Sequence, residues 1–241
     1  PEIAIPFMQV FYVRDISGKY CFLNESESRH CIKVLRLKTG AEVRMIDGKG
    51  NLCNGRIADA DPKNCSIEVI SVINDFEKRD YRLHIAISPL KNPDRFEWFI
   101  EKSVEIGIDE ITPLICSRTE KPGIKTERIN ALIVSAMKQS LKAKDTVLNN
   151  IIPFNDFIRL SRKGTLMIAH CGNDFEKKGI REVYRKGDDA VILIGPEGDF
   201  TDNEITAAIE SGFTPVHLGR SRLRTETAGV AACHSVYFIN Q

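Results

Sequence analysis

The sequence of 241 residues contains no apolar run near the 18 or more residues of a membrane-spanning helix; its longest, around Ala190 to Gly195, is strand-sized. The opening Pro1-Glu2-Ile3-Ala4 has no basic stretch leading into an apolar one, so no secretory signal is expected. No C-x-x-C occurs. The seven cysteines (21, 31, 53, 65, 116, 171 and 233) are odd in number and widely spaced, which argues against both a zinc ribbon and a redox pair. They are expected to be small buried hydrophobes in the reducing cytoplasm. The five histidines form no H-E-x-x-H or other ligand spacing, so no metal cofactor is expected. There is no G-x-G-x-x-G, and Gly48-Lys49-Gly50 lacks P-loop spacing, which removes two nucleotide fingerprints. Internal repeats and low-complexity segments are absent. Net charge is nearly absent too: 34 Lys and Arg against 33 Asp and Glu leave +1, which by itself gives no support to a nucleic-acid partner.

What is present is an ordinary globular composition, 42% hydrophobic and 28% charged. A chain this long buries about 70–75% of its unfolded surface, ample for a core. Residues 1–72 read as a small β-rich module. Strand-like runs fall at Phe11-Tyr12-Val13, Tyr20-Cys21-Phe22-Leu23, 42–46 and 66–70, separated by turn signals such as Ser17-Gly18 and Asp47-Gly48. One helix is predicted between Ser26, as N-cap, and Leu37. Short strands at this density suggest a small barrel. The polar stretch Asn74 to Asp80 reads as a linker.

From residue 73 to 241, strands alternate with helices. Strands are predicted at 82–87, 110–115, 165–169, 190–194 and 215–218. Helices are predicted at 93–106, 127–141, 202–210 and 225–238. Thr201-x-x-Glu204 is a capping box, and Gly107 and Gly212 are stop signals. Near-continuous apolar strands between helices indicate a covered, mainly parallel α/β sheet.

Ligands of such sheets bind in loops at the C-terminal ends of strands. Three loops there are unusual. Gly195-Pro196-Glu197-Gly198-Asp199-Phe200 allows close backbone approach. Gly219-Arg220-Ser221-Arg222-Leu223-Arg224 is strongly basic. Thr225-Glu226-Thr227-Ala228 opens the last helix and presents its free amides.

Taken together, Leu193-Ile194-Gly195-Pro196-Glu197-Gly198, Leu218-Gly219 and Leu223-Arg224-Thr225-Glu226-Thr227-Ala228 resemble the C-terminal motifs of the RsmE-type 16S ribosomal RNA uridine-N3-methyltransferases, in the SPOUT class. The likeness continues upstream through Lys91, the segment Glu101 to Ile108, Ile111-Thr112-Pro113, Asp47-Gly48, and His30 with Val34-Leu35-Arg36. Three positions depart from the pattern. Arg220 stands where relatives often have proline, Lys138 where they often have Glu, and Gly198-Asp199 where Gly-Gly is common.

The resemblance implies a SPOUT-type trefoil-knotted, mainly parallel sheet domain at 73–241, preceded by a PUA-like β-barrel at 1–72 that binds RNA. It also implies a cytoplasmic homodimer and S-adenosyl-L-methionine as methyl donor. Cofactor contacts would come from His170, Ile194, Gly195, Glu197, Gly198, Leu218, Gly219, Leu223, Thr225, Thr227 and Ala228. The reaction would methylate N3 of a uridine in 16S rRNA of the small subunit. Neutral uracil carries a proton on N3, so the anion must be stabilised as it forms. Arg224 is the candidate, because its planar donor fork matches carbonyl oxygens; an ion pair with Glu197 or Glu226 is the structural alternative.

Charge distribution adds detail. Residues 29–38 hold four basic and no acidic residues, and 118–163 hold ten against four, whereas 171–213 hold five against ten. Basic patches bind phosphate even on a neutral molecule. Arg29, Lys33 and Arg36 recur at helical spacing, and with Lys91, Arg220 and Arg222 they are the expected RNA contacts. Two alternatives stay open: a knotted methyltransferase with another RNA target or atom, such as a ribose 2′-hydroxyl, and a catalytically idle ribosome-assembly factor.

Overall fold

The computed structural model describes residues 8–160, 163–172 and 175–241. Pro1 to Ala4, where a secretory signal would begin, lie outside these. The chain divides into two compact units, 1–78 with 137–145, and 79–136 with 146–241. Among the described residues no helix is long and apolar enough to cross a membrane.

In the first unit, β1 (Val10–Tyr12), β2 (Tyr20–Phe22), β3 (Glu42–Ile46), β4 (Leu52–Asp59) and β5 (Ser66–Ile73) form one curled sheet in the order β1-β3-β4-β5-β2. The β1–β3 pair is parallel and the others antiparallel. The strand β4 was not expected from sequence, because Asn54 and Gly55 interrupt its apolar pattern. Its glycine is explained by crowding. A Cβ at Gly55 would lie 2.5 Å from an Ile67 methyl and 2.7 Å from Met45 Cε, so only glycine lets the two neighbouring strands pack here. Inward residues Phe11, Val43, Met45, Ile57 and Ile67 make the core, with the thiols of Cys21, Cys31, Cys53 and Cys65 among them.

The predicted helix at 26–37 is shorter and differently capped. Asn24, not Ser26, accepts the Glu27 amide, and α1 (Glu25–Arg29) passes into a π-type turn over His30–Val34. Beyond it Arg36 takes a left-handed φ of 55°. The cause is packing. Leu35 and Leu37 both lean on the barrel core, whereas a continuing helix would point them about 200° apart. Arg36 therefore does not share a helical face with Arg29 and Lys33, and the expected three-residue stripe is not formed.

The second unit carries β6 (Leu83–Ile87), α2 (Pro93–Ile106), β7 (Glu110–Ile115), α3 (Thr126–Ser140), β8 (Val147–Leu148), β9 (Ile152–Pro153), α4 (Phe154–Arg159), β10 (Thr165–Ala169), β11 (Lys178–Gly179), α5 (Ile180–Val183), β12 (Ala190–Ile194), α6 (Asp202–Glu210), β13 (Thr214–His217) and α7 (Thr225–Ile239). The end of α3, from Met137, belongs to the first unit, within which Lys138 pairs with Glu27 at 2.6 Å.

The sheet runs β11-β13-β10-β12-β6-β7-β8, parallel throughout, with β9 also paired to β7. Strands β6 and β12 are buried at every residue, as a sheet covered on both faces requires. Helix α2 starts at Pro93, capped by Asn92, and stops at Gly107, whose φ of 119° and N–H bond to Ser103 close the last turn. Helix α6 opens with the expected capping box of Thr201 and Glu204. Helix α7 buries Gly229, Ala232, Cys233 and Val236 toward α2, β6 and β12.

Candidate functional site

Because the strands are parallel, the loops after β6, β7, β10, β12 and β13 emerge at one edge of the sheet. That edge gathers the candidate cofactor residues within the second unit. Ile194, Gly195 and Pro196 are buried, whereas Glu197 and Gly198 are exposed at the tip of the loop. A Cβ on Gly195 would sit 3.1 Å from the Phe200 ring and 3.2 Å from its amide, so the turn closes on itself.

Side chains outside the loop hold its shape. Glu197 Oε1 accepts the Lys91 amide at 3.0 Å, tying it to the β6–α2 connection. Arg118 Nη1 donates to the Gly198 carbonyl at 2.7 Å and to that of Phe200 at 3.3 Å. Asp199 adopts a left-handed φ of 63°, and its carboxylate accepts the amides of Cys171 at 2.7 Å and Phe200 at 2.9 Å. A glycine would be relaxed in that conformation; Asp is among the few other residues that tolerate it. Its two amide bonds offset the strain.

At the end of β10, His170 is only 7% exposed, and among the described residues neither ring nitrogen has a hydrogen-bond partner. Burial foremost, and then the Lys177 cation, lowers its pKa below the ordinary histidine value, so the ring is neutral at pH 7. Lys177 Nζ donates to the carbonyls of His170, Cys171 and Gly172, at 3.4, 3.2 and 2.6 Å. Cys171 is exposed, a correction to the expectation that all seven thiols are buried; the other six are. It stands where the strand has ended and the chain has left the sheet.

The turn Leu223 to Ala228 completes the set. Arg224 is the N-cap of α7, and its side chain makes no capping hydrogen bond to the first amides of the helix. Thr225 and Glu226 are buried, Leu223 and Ala228 half-buried, Thr227 exposed. Arg95 Nε approaches Glu226 Oε1 at 3.8 Å, so Glu226 is served by a different arginine from the one the structural alternative required. Among the described residues no carboxylate pairs with Arg224. Leu218 is half-buried and Gly219 exposed, with φ 112°, after β13.

Of the expected RNA contacts, Lys91, Arg220 and Arg222 are exposed in this unit, and Lys91 Nζ pairs with Glu120 at 2.8 Å. Arg29, Lys33 and Arg36 are exposed in the other, with Arg29 paired to Glu25 at 2.8 Å. Sequence reasoning missed Arg118, Lys177 and Arg95. All three lie away from the motifs and act through tertiary contacts that no local pattern marks. Among the described residues no group of three or more His, Cys, Asp or Glu is arranged to hold a metal ion.

The C-terminal edge of the sheet therefore displays a neutral imidazole without a hydrogen-bond partner and two guanidinium groups, of Arg222 and Arg224, without a carboxylate partner among the described residues, together with a tight glycine loop and the start of α7. It can bind a small polar ligand and stabilise negative charge next to it. A family model for the RNA methyltransferase domain matches residues 77–237, and one for the RNA methyltransferase PUA domain matches 23–70. The chain is 28% identical to ribosomal RNA small subunit methyltransferase E of Aquifex aeolicus over 230 residues, covering 93% of this chain and 96% of that protein. Among solved structures, a probable rRNA-methyltransferase from Porphyromonas gingivalis is 38% identical, with a TM-score of 0.89 over 97% of this chain and 98% of that one. A ribosomal RNA small subunit methyltransferase E from Neisseria gonorrhoeae, bound to S-adenosyl methionine, is 25% identical, with a TM-score of 0.87 over 96% and 98%. With the family model spanning most of the second unit and its PUA companion lying on the first, the chain belongs to the RNA methyltransferase family, on its RsmE-type branch.

Proposed function

We propose that the protein is an S-adenosylmethionine-dependent methyltransferase acting on N3 of a uridine in 16S rRNA. The observation that carries this reading is the cradle at the C-terminal edge of the sheet. His170 presents two buried ring nitrogens without a partner among the described residues, and the amide of its neighbour Cys171 bonds the carboxylate of Asp199 in the loop that begins at Gly195. Orphaned buried polar groups cost stability unless something meets them, so they fit a ligand rich in polar atoms. His170, the 194–198 loop, Leu218, Gly219 and the 223–228 turn would hold S-adenosylmethionine. When bound, it supplies an electrophilic methyl group on a sulfonium.

The protein's own task is then the nucleophile. As the N3–H bond of uracil breaks, negative charge spreads onto its carbonyl oxygens, and the guanidinium of Arg224 at the head of α7, with no carboxylate partner among the described residues, suits that charge. Glu197 positions, since its carboxylate is engaged with the Lys91 amide.

Strand order supports the trefoil crossing. Strand β12, late in the chain, enters between β6 and β10, both earlier. The PUA-like first unit, with exposed Arg29 and Lys33, supports rRNA binding, and the assembled small subunit in the cytoplasm is the substrate form included in this reading. Phe238, exposed near the end of α7, supports a homodimer through that helix.

The test is transfer of labelled methyl to intact small subunits, naked rRNA and tRNA, followed by nucleoside analysis. The expected product is 3-methyluridine in 16S rRNA. Label on ribose or in tRNA refutes the assignment, and cofactor binding without any transfer identifies an idle assembly factor.

A further inference from the structure

A cavity of about 630 Å³ lies between the first turns of α2 and the turn that leads into α7. Its walls include Asp94, Arg95, Trp98, Arg222, Arg224 and Glu226. None of the strand-end groups of the cofactor cradle, neither His170 nor the Gly195 loop, lines it; the two share only the turn around Arg224.

Three features define what it can hold. First, Trp98 is the only tryptophan of the chain, and it is 43% exposed. The core-facing residues of α2 are Phe96, Phe99, Ile100, Ser103 and Val104, so the indole is turned away from the core and toward the cavity. Second, three guanidinium groups converge. Arg95 approaches Glu226, while Arg222 and Arg224 have no carboxylate partner among the described residues. Three guanidinium groups against the two carboxylates of Asp94 and Glu226 leave the lining positive on balance, which suits a phosphodiester and the carbonyls of a pyrimidine better than a cationic sulfonium. Third, Arg95 and Trp98 are three residues apart on one helix, so a cation and an aromatic face stand side by side. An aromatic platform flanked by arginine is how proteins hold an unstacked base and its phosphate. The volume falls within the roughly 300–1,000 Å³ of small-molecule sites.

We propose that this cavity receives the target nucleotide: its base stacks on the Trp98 indole and its phosphate meets Arg95 and Arg222, which places the pyrimidine carbonyls beside Arg224. Trp98 and Arg95 are thus substrate-positioning residues. The proposal rests on the methyltransferase reading, but it can fail separately.

Because Trp98 is the only tryptophan, it reports on its own site. Titrating the protein with a short single-stranded oligoribonucleotide containing uridine should quench its fluorescence, while S-adenosylhomocysteine alone should leave it nearly unchanged. Trp98→Ala should raise KM for small subunits about ten-fold or more, the scale of removing one base–aromatic stack. Trp98→Phe should recover most of that loss, with cofactor affinity and sedimentation unchanged in both variants. Quenching by RNA in a protein that methylates no RNA would sustain the cavity as a nucleotide receptor and sink the methyltransferase reading. Normal methylation with an unchanged KM in Trp98→Ala would overturn the cavity proposal and leave that reading standing. RNA binding without quenching, or a change of oligomeric state in Trp98→Ala, would also overturn it, the latter assigning Trp98 to a contact between copies of the chain.

Discussion

Gly229 offers the sharpest test of how the sheet, α2 and α7 are held together. It lies buried in α7, and a Cβ built there would sit 2.5 Å from Cε2 of Phe99 in α2 and 3.0 Å from Cδ1 of Ile87 in β6. Both neighbours are fully buried and cannot swing away into solvent. In an open helix, Gly→Ala gains about 0.5–1 kcal/mol from backbone entropy. Here the methyl overpacks the core at a cost of about 1–3 kcal/mol, so Gly229→Ala should destabilise by about 1 kcal/mol, and by at most about 2.5 kcal/mol, net. For a unit of this size that lowers Tm by about 2–10 °C. Gly123 is the control: it has ordinary φ and no atom within 4 Å of a built Cβ, so Gly123→Ala should leave Tm equal or slightly higher. Differential scanning calorimetry on both variants, followed by cofactor titration, makes the comparison. The first turn of α7 carries Arg224 to Thr227 one turn upstream of Gly229, so affinity should fall in Gly229→Ala as the helix is pushed off α2. A Tm at or above wild type would refute the close approach of the three elements.

Three further outcomes are expected. Arg224→Ala should lower turnover about 100-fold or more, with cofactor affinity changed by less than about three-fold; equal losses in the two would make it structural. The His170 imidazole has a lower pKa folded than its unfolded value of about 6.5, so the unfolded chain binds the proton first. Its contribution to stability is therefore full above that pH and lost as the pH falls through the folded value. Tm profiles of wild type and His170→Gln should run parallel above about pH 6.5, and wild type should lose stability relative to the variant as the pH falls below it; profiles parallel throughout would refute the assignment. Removing Arg29 and Lys33 together should shallow the log–log salt dependence of RNA binding by about 0.7 for each phosphate no longer neutralised, and an unchanged slope would make that face a bystander.

Regular elements with strong local signals were legible in the sequence. The strands at 42–46, 110–115, 165–169 and 190–194 and the helices at 93–106 and 202–210 have the bounds that periodicity and caps predict. So do the ligand-bearing loops, because strand ends and helix caps are local. Elements without such signals were not legible. Strand β4 is broken by Asn54 and Gly55, and β8, β9 and β11 are too short to have a period. The run of Leu35, Arg36 and Leu37 departs from its helical pattern because the barrel core claims both leucines.

The sequence by itself determined the class of the two units, the parallel sheet and the residues that its C-terminal edge displays. Those follow from hydrophobic period, turn chemistry and capping, which act over a few residues. Only the tertiary structure decided who holds whom: Arg118 and Asp199 on the glycine loop, Arg95 rather than Arg224 on Glu226, and Trp98 facing a cavity instead of the core. Each of these joins residues far apart in the chain. The reason is physical: a charge or an aromatic ring takes its role from its partners and its burial, and both are set by packing across the whole unit.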